Sequence, residues 1–414
     1  MPKDKIICAI DVGSSKITTL IATYLKEEKL SVIGVSTTAS KGMKKGQIVD
    51  IEETVSAISE SVDAAERMAG ISVGSAFVCI GGAHIQSQNS KGVVAVSQPE
   101  GEINQADVTR VVEAARAVSL PSSREILHTI PRDFIVDGQD GIKDPIGMTG
   151  VRLEVETQIV TGSSTAIRNL GKCINEVGVD IDSVVFSGLA SSQAVLSSTE
   201  KELGVVLIDI GAGTTDIAIW VDGALSFSSV LPMGARNVTN DIAVGLRISL
   251  GSAEKLKMAI PGEKTNDEID LSSLNLSEEI KKLSRKTLVE GIIKPRLLEI
   301  FTCVGMELQK SGFGGMTPSG VVITGGGALT VGILEACRAR LAMPCRIGSP
   351  LEDLKLTGLT QELDGPSYST SVGLLLSTPQ RSLPNMSGFG KLPFNLPLKN
   401  ILPKVGNFFK NFLP

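Results

Sequence analysis

The chain has 414 residues, enough for two or more domains with sizeable hydrophobic cores. It carries 40 lysines and arginines against 45 aspartates and glutamates, and the net charge of −5 argues against a nucleic-acid-binding protein. Aromatic residues make up 3% of the chain and 43 residues are glycine, which suits an α/β protein built on valine, isoleucine, leucine and alanine. The six cysteines are scattered without a C-x-x-C pair and only two histidines are present, so we expect reduced thiols and no zinc site.

The amino-terminal residues M-P-K-D-K lead directly into an apolar run, which leaves no room for a signal peptide. No apolar run approaches the ~20 residues that a membrane-spanning helix needs. We therefore expect the bulk of the chain to be cytoplasmic.

The first predicted feature is a strand, a glycine turn and a returning strand near the amino terminus. The strand ends at Asp11, and Gly13 is followed by the hydroxyls of Ser14 and Ser15 and then by Lys16. Glycine lets the backbone turn sharply and approach a ligand closely. Backbone N–H groups in such a turn form a concavity that binds anions. This spacing predicts a phosphate-binding hairpin.

The rest of the first half-domain and the block that follows it have different sequence patterns. Residues 52–69 have the apolar spacing of a helix, and residues 71–80 are predicted to form a strand that ends at two glycines. Residues 83–159 combine short strands with a helix that Asn104 would cap. Because this block has no phosphate motif, we interpret it as an inserted α+β module. A substrate-binding insertion of a kinase is the alternative.

A second copy of the strand–turn–strand pattern is the most informative stretch. Asp209 ends an apolar run, Gly211 and Gly213 follow, and Thr214 and Thr215 supply hydroxyls. In our alignment the two serines of the first copy match these threonines, across a turn two residues shorter. The duplication, with a carboxylate in each copy, predicts two related halves that face one phosphate chain. For a single copy, the alternative is a glycine-rich core hairpin whose aspartate only caps the turn.

Further segments accompany the two hairpins. The T-G-G-G segment at 324–327 follows a predicted strand, so the chain could pass close to a nucleoside or place a helix N-terminus near phosphate. Glu254 and Lys257 lie three apart on one helical face, where an exposed ion pair is the alternative. Residues 278–309 are predicted to be helical, with Pro295 marking a break or a fresh start. Basic residues of that region could meet an acidic peptide or simply form a solvated face: Lys281, Lys282, Arg285, Lys286, Lys294 and Arg296.

The carboxyl terminus has a composition of its own. Proline, serine, asparagine and glycine predict a flexible linker over 379–402. Residues 403–414 have helical apolar spacing with lysines on the other side, the pattern of an interfacial anchor for anionic lipid. A tail that folds back on its own domain is the alternative. The predicted membrane residues are Lys404, Val405, Phe408, Phe409, Lys410, Phe412 and Leu413.

Two phosphate hairpins with a T-G-G-G motif resemble the superfamily of actin, the heat-shock seventy-kilodalton chaperones and the sugar kinases. More narrowly, the chain resembles the FtsA family of bacterial division proteins over about residues 6–376 and again at the extreme carboxyl terminus. The specific signals are R-E-I-L-H-T-I-P-R-D-F-I-V-D-G at 124–138 and D-P-I-G-M-T-G-V-R-L-E at 144–154. Neither segment is a nucleotide motif, so both separate this family from its superfamily relatives.

The resemblance implies an α/β, actin-like ATPase fold of two related halves (RNase H-like). It further implies an inserted, SHS2-like α+β subdomain 1C in place of actin subdomain 1B, and a carboxyl-terminal amphipathic helix. The implied division is 1–82, 160–203 and 359–378 for subdomain 1A, 83–159 for 1C, 204–245 and 313–358 for 2A, 246–312 for 2B, 379–402 for the linker and 403–414 for the membrane-targeting helix.

The resemblance also implies ATP and Mg²⁺ as cofactors. Asp209, with Asp11 behind it, would hold Mg²⁺ through water and take part in catalysis. Ser187 lies where the family usually carries a Glu or Gln that orients the attacking water, so we expect at most a weak ATPase. The implied cofactor-binding residues are Gly13, Ser14, Ser15, Lys16, Gly211, Gly213, Thr214, Thr215, Gly234, Glu254, Lys257, Gly325, Gly326 and Gly327.

By the same resemblance, we expect a peripheral protein that polymerises at the cytoplasmic face of the inner membrane at the division septum. It would bind the FtsZ C-terminal peptide at subdomain 2B, tether FtsZ filaments and recruit later division proteins through subdomain 1C. Anionic lipid and further copies of the chain would be partners, and nucleic acid would not. The alternatives are an FtsA-related pilus-assembly protein, which should lack the basic Phe-rich tail, and a small-molecule kinase, for which the sequence offers no obvious base.

Overall fold

A computed structural model describes residues 6–25, 29–97, 101–260, 267–278, 282–350, 354 and 356–377. The linker predicted over 379–402 and the amphipathic helix predicted over 403–414 lie outside these described residues. None of the helices in the described ranges combines the length and the apolar content that crossing a bilayer demands.

The first block surrounds the amino-terminal hairpin. Its elements are β1 (Ile6–Val12), β2 (Lys16–Tyr24), β3 (Leu30–Ala39), the short strands β4 (Met43–Lys44) and β5 (Gln47–Ile48), helix α1 (Ile51–Ala69) and β6 (Ser75–Ile80). Helix α1 begins where the Asp50 side chain accepts a hydrogen bond from the Glu53 N–H at 2.9 Å, and it ends at Gly70 with φ 69°. These caps account for the helix that the sequence predicts over 52–69.

The inserted block forms a separate sheet with its own small core. Its elements are β7 (Gln86–Ala95), α2 (Gln105–Arg116), β8 (Arg124–Val136), β9 (Gln139–Ile142) and β10 (Arg152–Ser163), with strand order β7-β10-β8-β9. Asn104 caps α2 in a reciprocal capping box with Asp107, as its position in the sequence predicts. Helix α2 packs tightly on β7, since a Cβ added at Gly92 would lie 2.1 Å from the Val111 carbonyl oxygen.

The remaining elements connect the halves and build the second one. They are α3 (Ser164–Glu176), β11 (Asp180–Phe186), α4 (Ser187–Val195), α5 (Ser198–Leu203), β12 (Val205–Ile210), β13 (Thr215–Val221), β14 (Ala224–Leu231), α6 (Ala235–Leu246), α7 (Leu250–Ala259), β15 (Glu268–Asp270), β16 (Lys282–Ser284), a π-helical segment (Lys286–Ile293), α8 (Lys294–Ser311), β17 (Val321–Thr324), α9 (Ile333–Leu341), β18 (Cys345–Ile347), β19 (Leu356–Gly358) and α10 (Ser369–Leu376).

The two large sheets share one topology. The order β3-β2-β1-β6-β11 in the first half is repeated as β14-β13-β12-β17-β18 in the second. In each sheet the first two pairings are antiparallel and the last two are parallel. Strand β19 adds to the free edge of β3. The prediction of an α/β fold with two related halves is confirmed.

The halves meet at helix α4, which α10 crosses closely and which packs on the strands of the second half. Helix α10 packs against α4, and a Cβ added at Gly373 would lie 1.7 Å from the Ala190 carbonyl oxygen, so only glycine fits there. Trp220 of β13 is fully buried and donates its indole N–H to the Ser192 hydroxyl of α4 at 3.0 Å. One continuous apolar core therefore includes residues of both halves.

The helix predicted over 278–309 is wrong in its first part. Residues 282–284 form β16, which pairs antiparallel with β15, before the π-helical segment begins at Lys286. Pro295 lies in the first turn of α8, where the π-helical pattern ends. The backbone stays helical through Ile293 and Lys294, so Pro295 coincides with the start of α8 and does not break the helix.

The buried histidine of β8 predicts a specific loss of stability in acid. His128 is 2% exposed and its Nε2 accepts a hydrogen bond from the Phe186 N–H at 2.9 Å. Burial lowers the pKa of His128 to about 4, so the folded chain binds fewer protons than the unfolded chain. The contribution of neutral His128 to the free energy of unfolding is therefore fully present above the ordinary pKa of 6.5. It is lost as the pH falls toward 4, by at most about 1.4 kcal/mol per pH unit.

We expect His128→Gln, which keeps an acceptor but cannot titrate, to flatten this dependence. The measurement is thermal unfolding of both proteins between about pH 7.5 and 4.5, a range that begins above the ordinary pKa of 6.5 and falls toward 4. The melting temperature of the unaltered protein should fall more steeply in that range. Parallel pH profiles for the two proteins would contradict the assignment.

Candidate functional site

The two strand–turn–strand hairpins have the same geometry. The Gly13 N–H donates to the Lys16 carbonyl oxygen at 3.1 Å, and the Gly211 N–H donates to the Thr214 carbonyl oxygen at 2.9 Å. Val12 pairs with Ile17 in one hairpin as Ile210 pairs with Thr215 in the other. Both turns therefore contain four residues.

Our alignment of the hydroxyl residues is wrong by two positions. Because the two turns have equal length, Ser14 and Ser15 match Ala212 and Gly213, and Lys16 matches Thr214. Matching by residue type placed serine against threonine, whereas the backbone hydrogen bond fixes the true correspondence. At these two positions the turn of the first half has two hydroxyl side chains, whereas the turn of the second half has none.

A cavity of ≈ 330 Å³ lies between the two hairpins. The structure brings most of the predicted site residues together in its lining: Asp11, Gly13, Ser14, Ser15, Lys16, Asp209, Gly211, Gly213, Thr214, Glu254, Lys257, Gly325, Gly326 and Gly327. Thr215 and Gly234 are not among the lining residues. Thr215 is buried and donates its hydroxyl to the Met233 carbonyl oxygen at 2.9 Å, while Gly234 precedes α6 and packs on the turn at Gly211.

Three aspartates from both halves line this cavity. Asp209 and Asp216 are 6% and 4% exposed, and Asp11 lies at the equivalent end of β1. Burial raises the pKa of all three carboxyl groups, and the charge of Asp209 raises that of Asp216 further. The Asp216 carboxylate thus resists ionisation unless a positive charge lies nearby.

Each aspartate accepts hydrogen bonds from side chains of other segments. The Cys79 thiol donates to Asp11 Oδ1 at 2.8 Å, and the Thr370 hydroxyl donates to Asp209 Oδ2 at 3.0 Å. The Ser187 hydroxyl donates to Asp216 Oδ2. The other oxygen of Asp216, Oδ1, is buried and has no hydrogen-bond partner among the described residues.

These carboxylates fit a hydrated divalent cation. A cation beside them would offset the repulsion between like charges and would satisfy the unpartnered oxygen through water. Mg²⁺ in proteins usually keeps several waters and takes one or two carboxylates together with phosphate oxygens. Within the described ranges, no cluster of three or more His, Cys, Asp or Glu residues is arranged to hold a metal. The fit is therefore to a cation held through water.

Lys16 brings a positive charge to the same cavity. Burial lowers the pKa of its amino group, and the charge of Asp11 partly opposes that effect. Its Nζ lies 3.7 Å from the centroid of the Tyr368 ring, a cation–π contact. Lys16 thus provides a partly buried cation on the side of the cavity that the first half supplies.

The T-G-G-G segment packs closely against the hairpin of the second half. A Cβ added at Gly325 would lie 2.2 Å from Asp209 Oδ1, and one at Gly327 would lie 2.7 Å from the Ile210 carbonyl oxygen. A 3₁₀ turn follows at Gly326–Leu329, and α9 begins only at Ile333. The segment therefore brings backbone and the start of a short 3₁₀ helix to the cavity, and not the N-terminus of α9.

The pair formed by Glu254 and Lys257 is half exposed, because the Glu254 side chain is 50% exposed while the lysine is buried. Lys257 is 7% exposed, and its Nζ lies 2.8 Å from Glu254 Oε2 and 2.9 Å from the Thr239 hydroxyl. Burial alone would raise the pKa of the Glu254 carboxyl group. Hydrogen bonds from Lys257 and Thr239 outweigh that effect and hold this pKa below its usual range. Met258 and Leu329 add apolar surface to the cavity near this pair.

The sequence did not reveal every residue of this site. Asp216 has a detectable signal, because it follows Asp209 on the returning strand and pairs directly opposite it. Ser187 is already identified through the family resemblance, and the structure places it at the cavity. Cys79 and Thr370 come from distant segments that meet only through the strand order and the crossing of α4 and α10, and no local sequence pattern indicates these two residues.

Burial and the neighbouring Asp11 charge raise the pKa of the Cys79 thiol well above its usual range. The thiol therefore remains protonated and acts as the donor toward Asp11.

The chain matches two family models. Residues 82–161 match the model described as "SHS2 domain inserted in FTSA", and residues 206–373 match "Cell division protein FtsA". The chain is similar to the cell division protein FtsA of Pseudomonas aeruginosa, with 40% identity over 388 residues that cover 92% of this chain and 91% of that protein.

Solved structures resemble the fold at low sequence identity. The PilM–PilN type IV pilus biogenesis complex has a TM-score of 0.63 at 13% identity, covering 89% of this chain and 97% of the other. MreB 5 of Spiroplasma citri bound to AMPPNP has a TM-score of 0.51 at 14% identity, covering 89% and 96%. Together with the inserted SHS2 domain, these likenesses confirm the actin-like fold class of the described residues. On the identity to its Pseudomonas relative over nearly the whole length, the chain belongs to the FtsA family of cell division proteins.

Proposed function

We propose that this chain is an ATP-binding cell division protein whose two halves close on Mg²⁺ and nucleotide. The observation that carries the proposal is the cavity of ≈ 330 Å³ in which equivalent hairpins of both halves face each other, a volume within the range of small-molecule sites. Membership of the FtsA family supports the role in division. The Spiroplasma MreB structure is bound to AMPPNP, and we extend nucleotide binding from that protein to this chain.

Each half would hold one side of the phosphate chain. Ser14, Ser15 and Lys16 would contact the terminal phosphates, with Lys16 as a point charge. The backbone of the second turn would face them. Asp209, with Asp11 behind it, would hold Mg²⁺ through water, and the bound ion would neutralise carboxylate and phosphate oxygens together. The other proposed contacts are Gly13, Gly211, Gly213 and Thr214 at the phosphates and Glu254, Lys257, Gly325, Gly326 and Gly327 at the nucleoside. Thr215 and Gly234 do not line the cavity and would support the turn of the second half from behind.

We propose that the nucleotide is held more than it is turned over. Ser187 has a short neutral side chain where the family usually carries a Glu or Gln to orient water. Its hydroxyl is already engaged by Asp216 Oδ2. Any hydrolysis would therefore be slow, and the bound nucleotide would act mainly as a clamp between the halves.

The FtsZ C-terminal peptide is our proposed partner at subdomain 2B. A groove of ≈ 390 Å³ runs between α6 and the π-helical segment, lined by Asp241, Val244, Gly245, Gly291, Ile292, Pro295, Arg296 and Glu299. Val244 is 79% exposed. Three of the cations that could meet an acidic peptide already pair with carboxylates of the chain: Lys282 with Glu268, Lys294 with Glu290 and Arg296 with Asp241. Because these three cations are already paired, docking of the peptide would depend mainly on apolar contact with the groove.

Membrane attachment is proposed through residues 403–414, at the cytoplasmic face of the inner membrane at the septum. Each fully buried large side chain contributes roughly 1.5–3 kcal/mol, and interfacial insertion recovers only part of that. One such anchor binds reversibly, whereas several anchors on a polymer bind as a unit through effective concentration. Self-association with nucleotide would thus convert weak contacts with anionic lipid into firm attachment.

Later division proteins are proposed to bind the inserted subdomain 1C, and the subdomain boundaries given above remain part of the proposal. Family membership favours this function over a small-molecule kinase. The pilus-assembly alternative shares the fold, with the PilM–PilN likeness at 13% identity. The basic Phe-rich tail of the sequence is the feature that favours the division role over it.

Lys16→Ala should weaken ATP binding by roughly 10–100-fold, because a charge-assisted contact contributes about 1.5–3 kcal/mol. It should abolish ATP-dependent filaments on anionic liposomes, as seen by electron microscopy. Lys172→Ala is the matched control, since Lys172 is an exposed lysine of α3 paired with Glu176. Filaments formed equally by all three proteins would count against the phosphate role of Lys16.

Val244→Glu should weaken binding of a fluorescent FtsZ C-terminal peptide by at least about tenfold, near 1.4 kcal/mol, since it places an acidic group in the apolar part of the groove. Val151→Glu changes an equally exposed valine (73%) in the inserted block and should leave peptide affinity unchanged. Fluorescence anisotropy measures both. Equal effects of the two substitutions would locate the peptide elsewhere.

Deletion of residues 403–414 should release the protein from anionic vesicles while ATP affinity stays the same, because none of the proposed ATP contacts belongs to this segment. Vesicle flotation and calorimetry make the two measurements. A Lys404→Gln, Lys410→Gln double variant should lose only the electrostatic part of its vesicle binding, the part that added salt weakens. If vesicle flotation were unchanged after the deletion, residues 403–414 would not be the membrane anchor.

A further inference from the structure

The thiol beside Asp11 is held there by the sheet. Strands β1 and β6 are parallel neighbours, with Ala9 opposite Phe77 and Ile10 opposite Val78, and the next positions along the two strands are Asp11 and Cys79. Cys79 is 4% exposed and belongs to the apolar core of the first half. Its Sγ donates to Asp11 Oδ1 at 2.8 Å. Two paired strands therefore fix the donor relative to the carboxylate.

This contact lies at the lining of the cavity between the halves. Cys79, Asp11 and Asp216 all contribute to that lining. Asp216 is 4% exposed, and its Oδ1 has no hydrogen-bond partner among the described residues. The cavity thus combines one carboxylate oxygen already bonded to a thiol with another that lacks a donor, which points to a cation near them.

We propose that Cys79 is a positioning residue for Asp11: its thiol takes Oδ1 and so leaves Oδ2 directed to a hydrated Mg²⁺ at the nucleotide phosphates. The inference rests on the proposed function of the cleft. Partners that orient a metal-binding carboxylate typically change metal affinity by 10–100-fold when they are removed. A thiol suits this place because its bulk packs as a small apolar group while its S–H still donates.

The test is the dependence of ATP affinity on Mg²⁺, measured by calorimetry on the full-length protein in excess Mg²⁺ and in EDTA. Cys79→Ala removes the donor, and Cys79→Val removes it while filling the space, should the alanine variant fail to fold. Cys79→Ser restores a donor. Cys173→Ala is the matched control, because Cys173 is a fully buried thiol of α3 away from the cavity lining.

The ratio of ATP affinities with and without Mg²⁺ should fall by roughly 10–100-fold in the Cys79→Ala and Cys79→Val proteins. Their affinity in EDTA should match that of the unaltered protein, and Cys79→Ser should recover most of the ratio. A ratio unchanged in both donor-free variants, or a serine variant no better than alanine, would overturn the positioning role alone. Absence of ATP binding by the unaltered protein would instead overturn the proposed function together with it.

Discussion

Three carboxylates, two of them buried and one partly buried, meet where the strands of the two halves end, and the cleft depends on how that charge is balanced. Asp11 and Asp209 occupy equivalent positions on β1 and β12, and Asp216 lies opposite Asp209 on β13. Buried carboxylates favour their protonated forms unless cations or donors are near. Hydroxyls, one thiol and the amino group of Lys16 supply part of that compensation. In the proposed function, a cation with phosphate would supply the rest.

The inserted block contacts both halves. It continues into α3 of the first half through β10 and lies against β14, the edge strand of the second. The Ser87 hydroxyl donates to the Ser228 carbonyl oxygen at 2.6 Å, and the Arg132 guanidinium donates to the Ser226 hydroxyl at 3.1 Å. A change in the angle between the halves must therefore shift these contacts or carry the insert with it.

The sequence predicted what local patterns can encode. The Asp–Gly hairpins, the T-G-G-G segment and the Asn104 cap each depend on neighbours a few residues apart, and the structure contains them all. Partners joined by topology stayed hidden: the thiol of Cys79 reaches Asp11 only because β6 pairs with β1, and Thr370 reaches Asp209 only because α10 crosses α4. The equal length of the two turns also escaped detection, since it is fixed by backbone hydrogen bonds that residue types do not report.

The central claim is that both halves bind the same nucleotide. Hydrogen–deuterium exchange on addition of Mg²⁺ and ATP tests this claim most directly. Residues 11–18 and 209–216 form the equivalent hairpins. Backbone amides that bind phosphate or become enclosed exchange more slowly. The account predicts slower exchange in both hairpins together, dependent on Mg²⁺. Protection of one hairpin alone, or of neither, would contradict it.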